Sequence, residues 1–108
     1  MSKNRTVTEL TNKKQEAVYL FFRTQELCEK FFALAESEGF LFGDGIRPTL
    51  KETSDLIVIH SEKRMNYAGF AGRMAFGSGT HKAGEKNLVR VDFAKYLAGD
   101  EDYEYRAE

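Results

Sequence analysis

One stretch of the chain, residues 25–38, has a clear helical period, and this single helix constrains the fold more than any other feature. Its apolar residues recur at the three- and four-residue spacing of one helix face, at Leu27, Phe31, Leu34 and Ala35. Thr24 precedes the helix with an N-cap hydroxyl, and Gly39 supplies a stop after it. Because the apolar face must be buried, the helix predicts a sheet beneath it.

Short runs of β-branched and aromatic residues supply that sheet. We assign strands to residues 17–23, 56–60, 65–70 and 88–93 and a short strand or extended entry to 40–42. Residues 73–76 either continue the strand at 65–70 or begin another. A short polar turn separates the strands at 56–60 and 65–70, and this spacing predicts a β-hairpin. The order β-α-β-β-β-β predicts an α+β fold, an antiparallel sheet of about four to five strands with one main amphipathic helix packed on one face.

The length of 108 residues matches one domain, and the content of 42% hydrophobic and 31% charged residues is that of a globular chain. Residues 1–16 are polar, and we expect a flexible N-terminal arm there. We expect residues 17–98 to form a single α+β domain and residues 99–108 an acidic tail.

Charge and cysteine content narrow the partners and the compartment. A formal net charge of −1 gives no global field toward nucleic acid or an anionic membrane. No apolar run approaches the roughly 20 residues of a membrane span, and residues 1–16 lack the apolar core of a signal peptide. A single cysteine, Cys28, excludes an internal disulfide and favours a cytoplasmic location. It lies on the apolar stripe of the helix, as a buried small hydrophobe does.

A glycine-rich loop at residues 77–87 is a near miss to the phosphate-binding P-loop. Glu85 stands where the lysine of that motif belongs, and a strand rather than a helix follows, which excludes an NTPase. A weaker anion-binding nest stays open, and the alternative is a solvent-exposed hairpin loop. The candidate ligand-binding residues of this loop are Gly77, Gly79, His81 and Lys82.

Two further segments carry candidate binding residues. Gly69, Gly72 and Arg73 lie in a small, apolar, glycine-rich segment that fits a ligand cleft or a subunit interface, with a bulged core strand as the alternative. Arg47 follows a tight turn and could bind a carboxylate or phosphate at a pocket rim, with a surface ion pair as the alternative.

Catalytic and metal chemistry have little support. His60 and His81 are the only imidazoles, no Cys/His cluster has metal-ligand spacing, and we expect no metal and no cofactor. Whether the protein is an enzyme stays open, and the sequence favours a protein that is not one. A small enzyme would have to use His60 and His81, with Asp44 or Asp92. Asp92 alternates onto the face of Arg90, which predicts a surface ion pair.

Four segments resemble small uncharacterised proteins of phages and mobile elements of Gram-positive bacteria. They are residues 38–48 (EGFLFGDGIRP), 55–60, 67–77 (YAGFAGRMAFG) and 88–96 (LVRVDFAKY), and the resemblance covers roughly residues 17–97. It implies an accessory factor, either an inhibitor of a host protein or a binder of a small signalling molecule, and it implies no functional residues.

These observations predict a small non-enzymatic binding module whose partner is a host protein or a small anionic molecule. A small enzyme is one alternative. A nucleic-acid-binding module is another, with aromatic side chains beside Arg90 and Lys95 stacking bases, and the near-neutral charge argues against it. We expect no membrane partner, and an exposed strand edge is compatible with a homodimer.

Overall fold

The computed structural model of the protein describes residues 6–11, 16–60, 62–78, 82–83 and 86–105. Within these residues the strands are β1 (Glu16–Phe21), β2 (Leu41–Phe42), β3 (Leu56–His60), β4 (Arg64–Tyr67), β5 (Lys82–Ala83) and β6 (Lys86–Asp92). The α-helices are α1 (Gln25–Ser37), α2 (Phe70–Gly77) and α3 (Phe93–Ala98), and single 3-10 turns lie at Thr8–Thr11 and Pro48–Leu50. None of the helices in these residues is long and apolar enough to cross a membrane.

The strands form one mixed sheet in the order β2-β4-β3-β1-β6-β5. The central strand β1 is antiparallel to β3 on one side and parallel to β6 on the other. The α+β class is confirmed, whereas the prediction of an antiparallel sheet is wrong. There are two physical reasons. The crossover from β4 through α2 to β6 returns the chain beside β1 in the same direction, and β2 pairs in parallel with β4 rather than with β3, the next strand along the chain.

Helix α1 forms where the sequence predicts it. The Thr24 hydroxyl accepts a hydrogen bond of 3.2 Å from the backbone N–H of Leu27, which caps the helix. Gly39 follows the helix with a φ of 93°, a left-handed conformation in which side chains are strained. The side chains that α1 buries against the sheet are Cys28, Phe31, Phe32 and Ala35.

Two hydrophobic cores lie on opposite faces of the sheet. The first is enclosed by α1 and α3, and β1 contributes Val18 and Leu20 to it. The second lies under α2, where Tyr19 of β1 packs near Leu56 and Val58 of β3. Helices therefore cover both faces, and the prediction of one main helix on one face is wrong.

Helix α2 replaces a predicted strand. Strand β4 ends at Tyr67, and the Arg73 N–H donates to the Gly69 carbonyl at 2.8 Å in the first helical turn. The helix lies close to the sheet at Gly72, where an added Cβ would be 3.1 Å from the Tyr19 hydroxyl. The strands predicted over 65–70 and 73–76 were therefore wrong beyond Tyr67.

The described part of each terminal segment packs on the domain. Val7 and Leu10 belong to the first core, and the Glu38 carboxylate accepts from the N–H groups of Val7 and Thr8 at 2.8 Å. At the other end, Tyr105 donates its backbone N–H to the Arg90 carbonyl at 3.1 Å. This contact, with a bridge between Val91 and Glu104, covers part of the edge of β6.

Candidate functional site

The outward face of α2 exposes large apolar side chains. Phe70 is 83% exposed and Met74, one turn further along, is 59% exposed, whereas the first core buries most of the other phenylalanines completely. Arg73 lies between them on the same face and is half exposed. The inward face of the helix packs on the second core through Ala75 and Phe76. Exposed apolar side chains grouped in this way are typical of binding surfaces.

A cleft of about 500 Å³ adjoins this helix face. Its wall combines the extended segment after the second 3-10 turn with side chains of β4 and α2. The lining residues are Leu50, Lys51, Glu52, Thr53, Ser54, Tyr67 and Arg73. Leu50 is 66% exposed at this cleft, so the cleft carries an exposed apolar side chain of its own.

Arg73 anchors the cleft through an exposed ion pair. Its Nη2 donates to Asp55 Oδ1 at 2.8 Å and to Ser54 Oγ at 3.2 Å. The hydrogen bond from Arg73 lowers the pKa of the Asp55 carboxyl, so the pair is charged at neutral pH. Both side chains are about half exposed, and ion pairs of this kind contribute little to stability. An incoming carboxylate can therefore replace Asp55 at small cost.

Lys51 carries the second cation of the cleft. Its Nζ donates to Asp44 Oδ2 at 2.8 Å, which lowers the pKa of the Asp44 carboxyl, and it lies 4.9 Å from the centre of the Phe42 ring. The Tyr67 hydroxyl donates to the Glu52 carbonyl, and partial burial raises the pKa of Tyr67. These bonds orient the polar groups and balance the charge of the cleft.

The predicted site residues separate into three groups in the structure. Gly72, Arg73 and Gly77 lie on α2, Gly69 is its N-cap residue, and Arg73 lines the cleft. Arg47 is exposed at the start of the second 3-10 turn and does not line the cleft. The remaining three belong to the loop: Gly79 and His81 lie outside the described residues, and Lys82 is described only as part of β5.

Sequence reasoning missed the apolar members of this surface. Phe70 and Met74 have the four-residue spacing that places two side chains on one helix face, and that spacing was the available signal. The assignment of the segment to a strand concealed it. Leu50 and Tyr67 carried no local signal, because their position at the cleft depends on the approach of distant segments.

Asp92, one of the candidate acid–base residues, has contacts that stabilise the fold. Asp92 is fully buried, accepts from Arg23 Nη2 at 2.7 Å and caps α3 by accepting from the Ala94 N–H at 3.2 Å. The predicted surface pair with Arg90 is wrong, because the Arg90 guanidinium donates to the carbonyls of Ala75 and Phe76 at 2.9 Å, at the end of α2.

His60 lies exposed at the end of β3, with its Nε2 3.2 Å from the Asn66 side-chain nitrogen. His81, the second imidazole of the enzyme alternative, lies outside the described residues. In the part of the chain that the structure describes, no group of three or more His, Cys, Asp or Glu side chains is placed to hold a metal ion.

Comparison of the chain with protein-family models, with curated proteins and with solved structures gives no match.

Proposed function

We propose that the protein is a non-enzymatic binding module that contacts a partner protein through α2. We call the contact surface the docking face and define it as the outward side chains of α2, which are Phe70, Arg73 and Met74, together with the adjoining cleft. The observation that carries the proposal is the exposure of Phe70, at 83%, beside Met74 on one short helix. Aromatic, methionine and arginine side chains are enriched at protein interfaces, and here they occur together.

The chemistry of the cleft favours a protein over a small anion. Arg73 and Lys51 are the cations of its lining, and each is already bonded to a carboxylate, of Asp55 and Asp44 respectively. A small anion would have to displace one of these carboxylates and would leave the apolar surface of Phe70 and Met74 in water. A protein surface can cover both the apolar and the charged groups.

The resemblance to phage and mobile-element proteins supports a host protein as the partner. The single cysteine of this chain, Cys28, supports the cytoplasm as the compartment in which the two proteins bind. In this proposal the protein inhibits or redirects the host protein by occupying part of its surface, and no bond is made or broken.

Site-specific photo-cross-linking tests the docking face. A benzophenone amino acid is placed at position 70 or 74, and at position 29 as the control, because Glu29 is exposed on α1 at the opposite face of the sheet. After irradiation in an extract of a Gram-positive host, we expect the same cross-linked protein from positions 70 and 74 and none from position 29. Equal cross-linking at all three positions would contradict the proposal.

The identified partner then permits a quantitative test. Phe70→Ala removes the largest exposed apolar side chain, and burying such a side chain contributes about 1.5–3 kcal/mol, so we expect the dissociation constant to rise at least about tenfold. Ala33→Ser, on the exposed side of α1, is the matched control and should leave the affinity unchanged. Calorimetry with the purified pair measures both, and an unaltered affinity for the Phe70 variant would remove this residue from the interface.

A further inference from the structure

The docking face carries a protruding group and a recess side by side. Phe70 projects from α2 and is 83% exposed, while the cleft of about 500 Å³ begins at Arg73 one turn away. The Tyr67 ring and Leu50 supply apolar wall to this cleft. A surface with both features can bind another copy of itself, because a two-fold contact places each protruding group in the recess of the other copy.

The charges of the docking face are also self-complementary. Arg73 and Lys51 are cationic, and Asp55, Asp44 and Glu52 beside them are anionic. A surface whose charges all had the same sign would repel a second copy, whereas the docking face carries charges of both signs. A two-fold rotation that brings two α2 helices together can place Arg73 of each copy against Asp55 of the other. The ion pair that Arg73 and Asp55 make within each chain is exposed, so replacing it by the pair between chains costs little free energy.

We propose that a second copy of this chain occupies the docking face, in a two-fold dimer in which Phe70 of each copy enters the cleft of the other. This inference rests on the proposed function for the position of the contact surface, and it names the occupant when no host protein is present. A host protein that binds the same surface competes with the second copy.

The size of the contact sets the concentration at which the dimer forms. Two phenylalanines together bury about 300–500 Å², well below the roughly 1,200 Å² at the lower limit of stable interfaces, so the part of the contact made by Phe70 is small. We therefore expect a weak dimer, with a dissociation constant in the micromolar range or above.

Sedimentation equilibrium measures the association directly. Between about 1 µM and about 500 µM, we expect the mass of the wild-type protein to rise from that of one chain toward that of two. Phe70→Glu should remain monomeric over this range, because the charge would have to enter the cleft, whereas Ala33→Glu on the opposite face of the sheet should behave as the wild type. Both positions are exposed, so neither variant loses core packing, and circular dichroism verifies that each is folded.

A charge exchange identifies the proposed pairing. Arg73→Asp places two aspartates at each predicted contact of a dimer, and Asp55→Arg places two arginines there, so each variant alone should associate at least about tenfold more weakly than the wild type. An equimolar mixture contains the opposite charges at both contacts. We expect it to regain dimers that hold one copy of each variant, which native mass spectrometry detects by their intermediate mass.

Three outcomes separate this inference from the proposed function. A wild-type protein that stays monomeric up to the highest concentration overturns the dimer and leaves the host-protein cross-link to be judged separately. A wild-type dimer with no association in the variant mixture overturns the proposed pairing. If the wild type dimerises and the two charge variants form the mixed dimer, but no host protein is cross-linked through positions 70 and 74, the inference is supported and the proposal of a host-protein partner is rejected.

Discussion

Cys28 illustrates how one position on a helix decides the chemistry of a side chain. It lies on the stripe of α1 that faces the first core and has no exposed surface. Burial raises the pKa of its thiol to about 11, because the thiolate would be poorly solvated there. The sequence predicted a buried cysteine, and this is confirmed.

We expect the native protein to resist thiol reagents. At pH 8 a thiol with a pKa of about 11 is ionised on the order of a hundredfold less than an ordinary cysteine, and burial adds a steric barrier. Labelling with Ellman's reagent should therefore be at least about a hundredfold slower for folded than for urea-unfolded protein. Comparable rates in the two states would show that Cys28 is accessible and that α1 does not pack as described.

Asp92 shows where residue patterns fail. Alternation along the strand predicted a surface carboxylate, but β6 ends at this residue and α3 begins at the next, so the side chain turns to cap the helix and meet Arg23. Its partner is 69 positions away in the chain, and no local pattern contains that information.

At the scale of elements, β1, α1, β3 and β6 were predictable because each has a clear period or a continuous apolar run over at least four residues. Helix α2 was not. It has only eight residues, contains three glycines if its N-cap Gly69 is included, and exposes Phe70 and Met74 while it packs through Gly72, Ala75 and Phe76. Large apolar side chains therefore lie on both the outward and the inward face, which weakens the amphipathic pattern, and the strand alternation of β4 was extended falsely into the helix.

Gly72 permits the close approach of α2 to the sheet. We expect Gly72→Val to destabilise the fold by about 1–3 kcal/mol, because the added side chain would overlap the Tyr19 hydroxyl, which already lies 3.1 Å from the Cβ position. Gly77→Val is the matched control on the same helix, since nothing lies within 4 Å of its Cβ position. Urea unfolding of the two variants measures the difference, and equal midpoints would mean that α2 and β1 are not in close contact.

At the scale of the whole molecule, β1 joins the two cores, because Leu20 belongs to the first and Tyr19 to the second. The two cores should therefore unfold together. Fluorotyrosine placed singly at position 19 or at position 96 reports on the second or the first core, and we expect the two urea midpoints to coincide. Separate midpoints would show that the sheet divides into independently stable halves.

The pairing of β1 with β6 could not be predicted from sequence, and it also sets an order of events during synthesis. The ribosome delivers β1, α1 and β3 long before residues 86–92, so the nascent chain holds a central strand with one edge unpaired. That edge is apolar on both faces and is a template for pairing with other chains. A translation product that stops before β6 is therefore expected to aggregate or to be degraded, because β6 is the strand that covers this edge of β1.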